Sequence, residues 1–521
     1  MSKSFGVEWK RTGRCEPSTG RRGSPFVRRA EVKRKVARSG EQDSLDRLSA
    51  SPIVATAGVT VVTAFPNMNT APAAEPAGPT VPGLGHAYLF ATFNALSFQI
   101  VLGSPMVLYA KHLNASATVL GIIAGMMPLL VIFQIPAARH VARVGYRRFL
   151  LAGWSLRVLC IFLIALVPLT REFLEPPNQV ALLLFLLFGF NLSRGISSAA
   201  WLPWITALVP PEARGHYLAR DSACVNAASA VTLLLSGLVL GAQPAPWQFT
   251  AIFLFSAAMG AISLGFLKRM PDAPGPAEPG RRNEEPVPWR ALAGLPAFRK
   301  LLRTNVAWSL AYGGLSTFTV AYLKAFTDLS ENWILYATAV FYFGGIGGLL
   351  VFGAHLDRHG SKPIILVCVG GWFAILAAWV SLAGGLVTLR LGWLFPLQLL
   401  MGLGYAALSM ANTRLAMAVV PAMGRAHFFA LFSVVSNLSL GIAPVIWGLV
   451  IDAFGQRRIA LGGFELNRYS LFFLLVTAVM AVTFALGRRL EEPQAGKVET
   501  LLRSLLAQMP LPSWMRFWPR G

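Results

Sequence analysis

Runs of about 20 apolar residues recur along this chain from about residue 85 to residue 488. That is the length an α-helix needs to cross the hydrocarbon core of a bilayer. Leu120–Ala138, Ile364–Ala383 and Tyr469–Gly487 are three of them. A soluble core helix of this length keeps a polar face, and these runs do not. Composition agrees: 55% of the 521 residues are hydrophobic and 13% are charged, on the membrane side of the soluble range. The runs predict an all-α polytopic membrane protein with about twelve transmembrane helices, roughly at 87–109, 116–138, 148–169, 180–206, 221–241, 247–267, 304–324, 333–353, 363–384, 392–416, 428–451 and 469–488.

The formal net charge of +23 does not point to a nucleic-acid partner, because no basic helix face with interleaved aromatics accompanies it. The cations sit in short loops and at the termini, the signature of cytoplasmic segments. Arg139, Arg143, Arg147 and Arg148 follow the second span, Arg214 and Arg220 the fourth, Arg358 and Lys362 the eighth, and Arg425 the tenth. The opposite loops carry fewer bases (Lys111, Arg171, Lys324, Arg390, Arg457, Arg458). Both termini are therefore expected in the cytoplasm. Cys15, Cys160, Cys224 and Cys368 lack metal spacing and imply no disulfide framework, so neither metal nor cofactor is expected. The arginine- and alanine-rich composition fits a bacterial plasma (inner) membrane.

Residues 1–84 read as a basic, disordered cytoplasmic tail and a Pro/Ala/Thr-rich linker. The Ile53–Phe65 run starts too late and is too weakly hydrophobic for a signal peptide. Sequence upstream of a start at Met68 is the other reading of this segment. Residues 85–267 and 304–490 each hold six spans, joined by a charged, proline-rich central loop at 268–303. Residues 491–521 form an amphipathic cytoplasmic tail, with Leu501, Leu502 and Leu505 ahead of Trp514, Phe517 and Trp518, expected on the inner membrane surface.

The two six-span segments repeat one another. Ala207–Gly241 lies over Ala418–Asp452 without a gap, matching Pro210 to Pro421, Arg214 to Arg425, His216 to His427 and Asn226 to Asn437. Between spans eight and nine, Gly353, Asp357, Arg358, Gly360 and Lys362 form a loop that resembles the G-x-x-x-D-R-x-G-R/K-K/R signature of the major facilitator superfamily (MFS). The first-half copy keeps Gly145, Arg147 and Arg148 but has Ala142 in place of the acid. Gly360 suits a tight turn, and the cations suit the cytoplasmic interface. The resemblance implies two pseudo-symmetric six-helix bundles around a central cavity lined by spans one, four, seven and ten. It implies alternating access, and it makes the loop part of the cytoplasmic gate.

Polar side chains recur at helical spacing in those four spans. Asn305, Ser309, Tyr312, Ser316 and Thr319 share one face of span seven. The repeat sets Gln99 opposite Tyr312. Span four offers Asn191, Arg194, Ser198 and Trp201, and span ten offers Tyr405, Ser409 and Asn412. The cavity candidates are Gln99, Asn191, Arg194, Asn305, Tyr312, Ser316, Tyr405 and Asn412. Ser198, Ser309 and Ser409 fit helix–helix packing as well as a cavity wall, and Asn226 and Asn437 fit either role. Arg194 resembles the arginine of the superfamily's span-four motif, and a buried arginine needs water, a partner or an anion. Arg157 in span three is expected to bond carbonyls or pack. No Asp or Glu lies deep in a span, which argues against a cationic substrate.

The expected function is MFS-type transport of a small polar or anionic solute, by a monomer embedded in membrane lipid. A sensor or assembly factor that kept the fold without transport is the alternative, and Ala142 favours it. An enzyme is not expected, since no catalytic cluster accompanies His216 or His427.

Overall fold

The computed structural model describes residues 84–209, 214–272, 294–419, 425–492 and 495–508. The basic tail and linker, most of the central loop and the aromatic end of the C-terminal tail lie outside them. So do the side chains of Ala142, Arg214, His216, Asp357, Arg425 and His427.

Eleven of the described helices are long and apolar enough to cross a membrane. The remaining crossing, span seven, is split. Pro296–Tyr312 and Leu315–Phe326 are separate helices, so the expectation of one continuous helix over 304–324 is corrected. Two adjacent glycines are poor helix formers, and Gly314 takes φ +83°, which costs a glycine little. The crossing also starts earlier than expected, within the segment read as central loop. Span one is interrupted at Gly103, between Leu84–Leu102 and Ser104–His112. There Pro105 has no N–H to continue the ladder. Span two breaks after Pro128 into Ala117–Leu130, a short tight turn and Gln134–Val144.

Spans three to six are Tyr146–Leu166, Pro176–Leu208, Arg214–Leu240 and Pro246–Arg269. Spans eight to twelve are Glu331–His359, Ser361–Ala383, Leu391–Val419, Arg425–Phe454 and Arg468–Arg488. In the N-half, span one packs on five and six, and span three on four and six. In the C-half, span eight packs on ten, nine on ten and twelve, and seven on eleven and twelve. Side chains such as Phe185 (71% exposed), Leu238 (69%) and Leu350 (73%) project from the bundles, as a lipid-facing surface requires.

The halves meet through span two against eleven, five against eight, and the second helix of span one against that of span seven. These contacts lie toward the end that carries the loops at 113–116, 241–245, 327–330 and 455–467, termed here the outer end. There the backbones nearly touch. A Cβ on Gly121 would stand 2.2 Å from the Pro444 carbonyl oxygen, and one on Gly125 2.3 Å from that of Gly441. Asp452 closes the same seam, accepting from the Ala117 N–H (3.0 Å) and the Thr118 N–H (2.7 Å) at the start of span two. Its partner in the repeat, Gly241, accepts from the Asn332 N–H (3.1 Å) at the start of span eight. Thus each half caps a helix start of the other, once through a carboxylate and once through a main-chain carbonyl.

One small element was not expected, and the start of the amphipathic tail packs on the bundle. An antiparallel hairpin, Ile459–Leu461 with Phe464–Leu466, joins spans eleven and twelve. The tail helix Val498–Gln508 buries Leu501 against the C-half, and the Gly496 N–H donates to the His359 carbonyl (2.8 Å).

Candidate functional site

The breaks in spans one and seven frame a cavity of about 190 Å³ between the halves. Gln99, Gly103 and Ser104 line it from span one, and Asn226 from span five. The C-half supplies Tyr312, Ser316 and Thr317 from span seven, Thr338, Phe341, Tyr342 and Gly345 from span eight, and Tyr405 and Ser409 from span ten. Among the described residues no charged side chain lines it.

Two hydrogen bonds cross from half to half at this level. The Tyr342 hydroxyl donates to Gln99 Oε1 (2.9 Å), and the Ser104 hydroxyl donates to Thr338 Oγ1 (3.3 Å). The C-half wall is aromatic. Tyr312 stacks on Tyr405 with centroids 4.6 Å apart and an interplanar angle of 17°, and on Trp308 at 5.2 Å and 15°. Trp372 meets Tyr312 edge-on at 5.8 Å and Trp308 at 5.9 Å. Offset stacks and edge contacts of this kind are the favoured aromatic geometries, each worth about 0.5–1.5 kcal/mol beyond burial. The slab is tied to the break in span seven, where the Trp447 indole N–H donates to the Leu310 carbonyl (2.7 Å).

Of the sequence candidates, Gln99, Tyr312, Ser316 and Tyr405 come together in this cavity. Asn305 and Asn412 do not line it. Asn412 Nδ2 donates to Asn305 Oδ1 (3.0 Å), and Asn305 Nδ2 donates to the Ser436 hydroxyl, within the C-half. Asn191 donates to the Leu187 carbonyl of its own helix (2.9 Å). Arg194 stands apart from the cavity, with a buried Nη1 that has no hydrogen-bond partner. Arg157 is 2% exposed. It donates to Asn94 Oδ1 of span one and lies over the rings of Trp154 (5.3 Å) and Phe190 (5.5 Å).

Both loop glycines take positive φ, +86° at Gly145 and +83° at Gly360, which explains glycine at both repeat positions. Gly353, Arg358 and Lys362 stand at the end of span eight and the start of nine. The loop is braced from within its own half. Glu492, only 6% exposed, accepts from the Ser361 and Lys362 N–H groups (2.8 and 2.7 Å) and faces Arg414 at 3.6 Å. In the first copy, the Arg147 guanidinium donates to the Lys268 carbonyl. Glu492, Asp452 and the span-eight wall were missed by sequence reasoning. Thr338, Tyr342, Gly345 and Leu349 repeat at the same four-and-three spacing that marked span seven, so that signal was present.

The sequence model of the Major Facilitator Superfamily matches residues 87–334 and 318–518. The chain belongs to the major facilitator superfamily. An uncharacterized MFS-type transporter of Pseudomonas aeruginosa (strain UCBPP-PA14) is 27% identical over 240 residues, 44% of this chain and 52% of that one. One from Burkholderia mallei (strain SAVP1) is 30% identical over 162 residues, 29% of this chain and 35% of its own length. This MFS chain thus spans about half or less of the curated relatives it matches. Solved MFS folds superpose over most of it. A D-xylose–proton symporter gives a TM-score of 0.62 at 12% identity, covering 80% of this chain and 99% of its own. A bacterial homologue of the lysosomal transporter Spinster, inward-facing and unoccupied, gives 0.58 at 14% identity, covering 81% and 97%. At such identities the likeness is one of fold.

Proposed function

We propose that this MFS protein is a secondary carrier of a small, neutral, polar solute across a bacterial inner membrane, working by alternating access. In this reading the outer end faces away from the cytoplasm, both termini are cytoplasmic, and the structure is the inward-facing state. The seam at the outer end carries the state assignment, because the described cross-half contacts concentrate there. The loop arginines support the orientation.

The uncharged lining carries the solute class. A charged ligand placed among hydroxyls, amides and rings would lose its hydration without gaining a counter-charge. A neutral solute with several hydroxyl or amide groups finds matching donors and acceptors in Gln99, Asn226, Ser316 and Tyr342. The Tyr312–Tyr405 stack offers it a flat apolar face. The volume is that of about six water molecules, which suits a small molecule rather than a peptide. An anionic solute at this site is disfavoured, because Arg194, which motivated it, does not line the cavity.

Uptake into proteoliposomes, across a panel of neutral sugars, polyols and nucleosides set against carboxylates, tests the reading. Saturable flux of a neutral solute, lost in Tyr312→Ala, is the expected result. Flux confined to charged solutes, or flux indifferent to Tyr312→Ala, contradicts it. Tight solute binding without flux would favour the sensor.

A further inference from the structure

Arg157 and Arg194 sit near the middle of spans three and four, which carry no acidic residue of their own. The described part of the N-half contains four carboxylates. Glu172 and Glu175 lie in the outer loop between spans three and four, Asp221 in the first turns of span five, and Asp272 past the end of span six. Neither arginine forms an ion pair among the described residues. Arginine stays protonated in proteins, so the pair cannot shed its charge. Phe190, whose ring lies 5.5 Å from the Arg157 guanidinium, stands one turn before Arg194, and the Ser193 hydroxyl donates to the Gly153 carbonyl one turn before Arg157 (2.7 Å), so the two cations belong to the same stretch of the contact between spans three and four.

The hydrogen bonding is incomplete on the same groups. Arg157 is 2% exposed, yet its Nε has no partner. Asn94 and the rings of Trp154 and Phe190 satisfy only part of that guanidinium. The Nη1 of Arg194 is buried and unpartnered. Buried polar groups normally find partners, and those without one inside the protein commonly bind an ion or a water. Here the orphans are donors on two cations, which calls for an acceptor with negative charge.

We propose that Arg157 and Arg194 hold a small anion between spans one, three and four, at a site separate from the central cavity. Arg194 is partly exposed and gives the ion its way in, while Arg157 forms the closed end. The shared chemistry is a compact anion that accepts several N–H bonds. A free halide provides it, and so does a small carboxylate or phosphate. Such an ion balances the charge of the pair and fixes span three against span four. It also fits the solute reading above, since it supplies the negative charge without requiring a charged solute.

Thermal unfolding of the purified full-length protein tests this at constant ionic strength. Sodium chloride, bromide, formate and phosphate are each compared with sodium gluconate, whose bulky anion serves as the reference. A saturable rise of the midpoint by about 2 °C or more is expected with at least one small anion, and Arg194→Gln should abolish it. A rise with halides identifies a free halide as the occupant, and bromide should then give an anomalous scattering peak between the two guanidiniums. A rise with formate or phosphate alone identifies an oxyanion. Equal midpoints in all the salts, or an anion-dependent rise that survives in Arg194→Gln, overturns the proposal and leaves a bound water as the partner. Arg194→Gln should still move the neutral solute that Tyr312→Ala cannot. The anion site and the solute cavity can therefore fail independently.

Discussion

The two ends of this molecule are held in different ways. At the outer end, one half grips the other: Asp452 caps span two, the Gly241 carbonyl caps span eight, and glycines let spans two and eleven touch backbone to backbone. At the inner end, the described contacts stay within a half. Glu492 braces the turn at Gly360 and meets Arg414, Lys300 pairs with Glu491, and Arg147 reaches the Lys268 carbonyl. In a carrier that alternates, contacts between halves must break in each cycle, whereas contacts within a half must survive it. On the proposed alternating-access reading, the outer end is where the free-energy difference between states is stored, and the inner loops keep each bundle rigid as it rocks.

The contrast is broken most severely by Gly121→Leu. Its Cβ would lie 2.2 Å from a main-chain oxygen of the other half, which cannot swing away. Overpacking of this kind costs about 1–3 kcal/mol. Flux should fall by about tenfold or more. In a background without native cysteines, Val107→Cys in the cavity wall should then react with an impermeant thiol reagent applied from outside. Gly371→Leu, where a Cβ meets nothing within 4 Å, is the control and should change neither readout.

Asp452→Ala comes next. It removes the acceptor of two main-chain N–H groups at a helix start, where hydrogen bonds to a charged group are worth about 1.5–3 kcal/mol. The population should shift toward an outward-open form by about 10- to 100-fold, read as labelling at Val107→Cys. Asp452→Asn, which retains an acceptor, should shift it less.

Glu492→Gln sharpens the same contrast from the other end. It should lower the unfolding midpoint of the purified protein by a few degrees and leave outer labelling unchanged. An effect on outer labelling equal to that of Asp452→Ala would mean that the ends are not distinct. Tyr342→Phe is expected to be smallest. Losing one neutral hydrogen bond of about 0.5–1.5 kcal/mol should weaken solute binding by about two- to tenfold, measured by isothermal titration.

Much of the fold was legible because membrane helices announce themselves by length and apolarity. The repeat even paired Gly241 with Asp452, the two residues that turn out to cap opposite helices. Half of the site candidates reached the cavity because a four-and-three spacing reports a helix face. The spacing does not report which neighbour that face meets. Asn305 and Asn412 share the periodicity with Tyr312 and Tyr405, yet bond one another inside the C-half. Tyr342 was overlooked because the superfamily resemblance implied a lining from spans one, four, seven and ten, although its bond to Gln99 belongs to the seam between halves. The break at Gly313 and Gly314 was visible as a glycine pair, but a pair of glycines reads equally well as close packing.

Transport with the outer seam locked tests the account most directly. Thr118→Cys with Asp452→Cys, in a background without the four native cysteines, replaces the Asp452 latch by a reducible bridge between the halves. Reconstituted in vesicles, the oxidised protein should carry no solute, and reduction should restore flux. Oxidised protein that is fully cross-linked and transports at the reduced rate would show that the halves do not separate there, and the account of rocking bundles would be wrong.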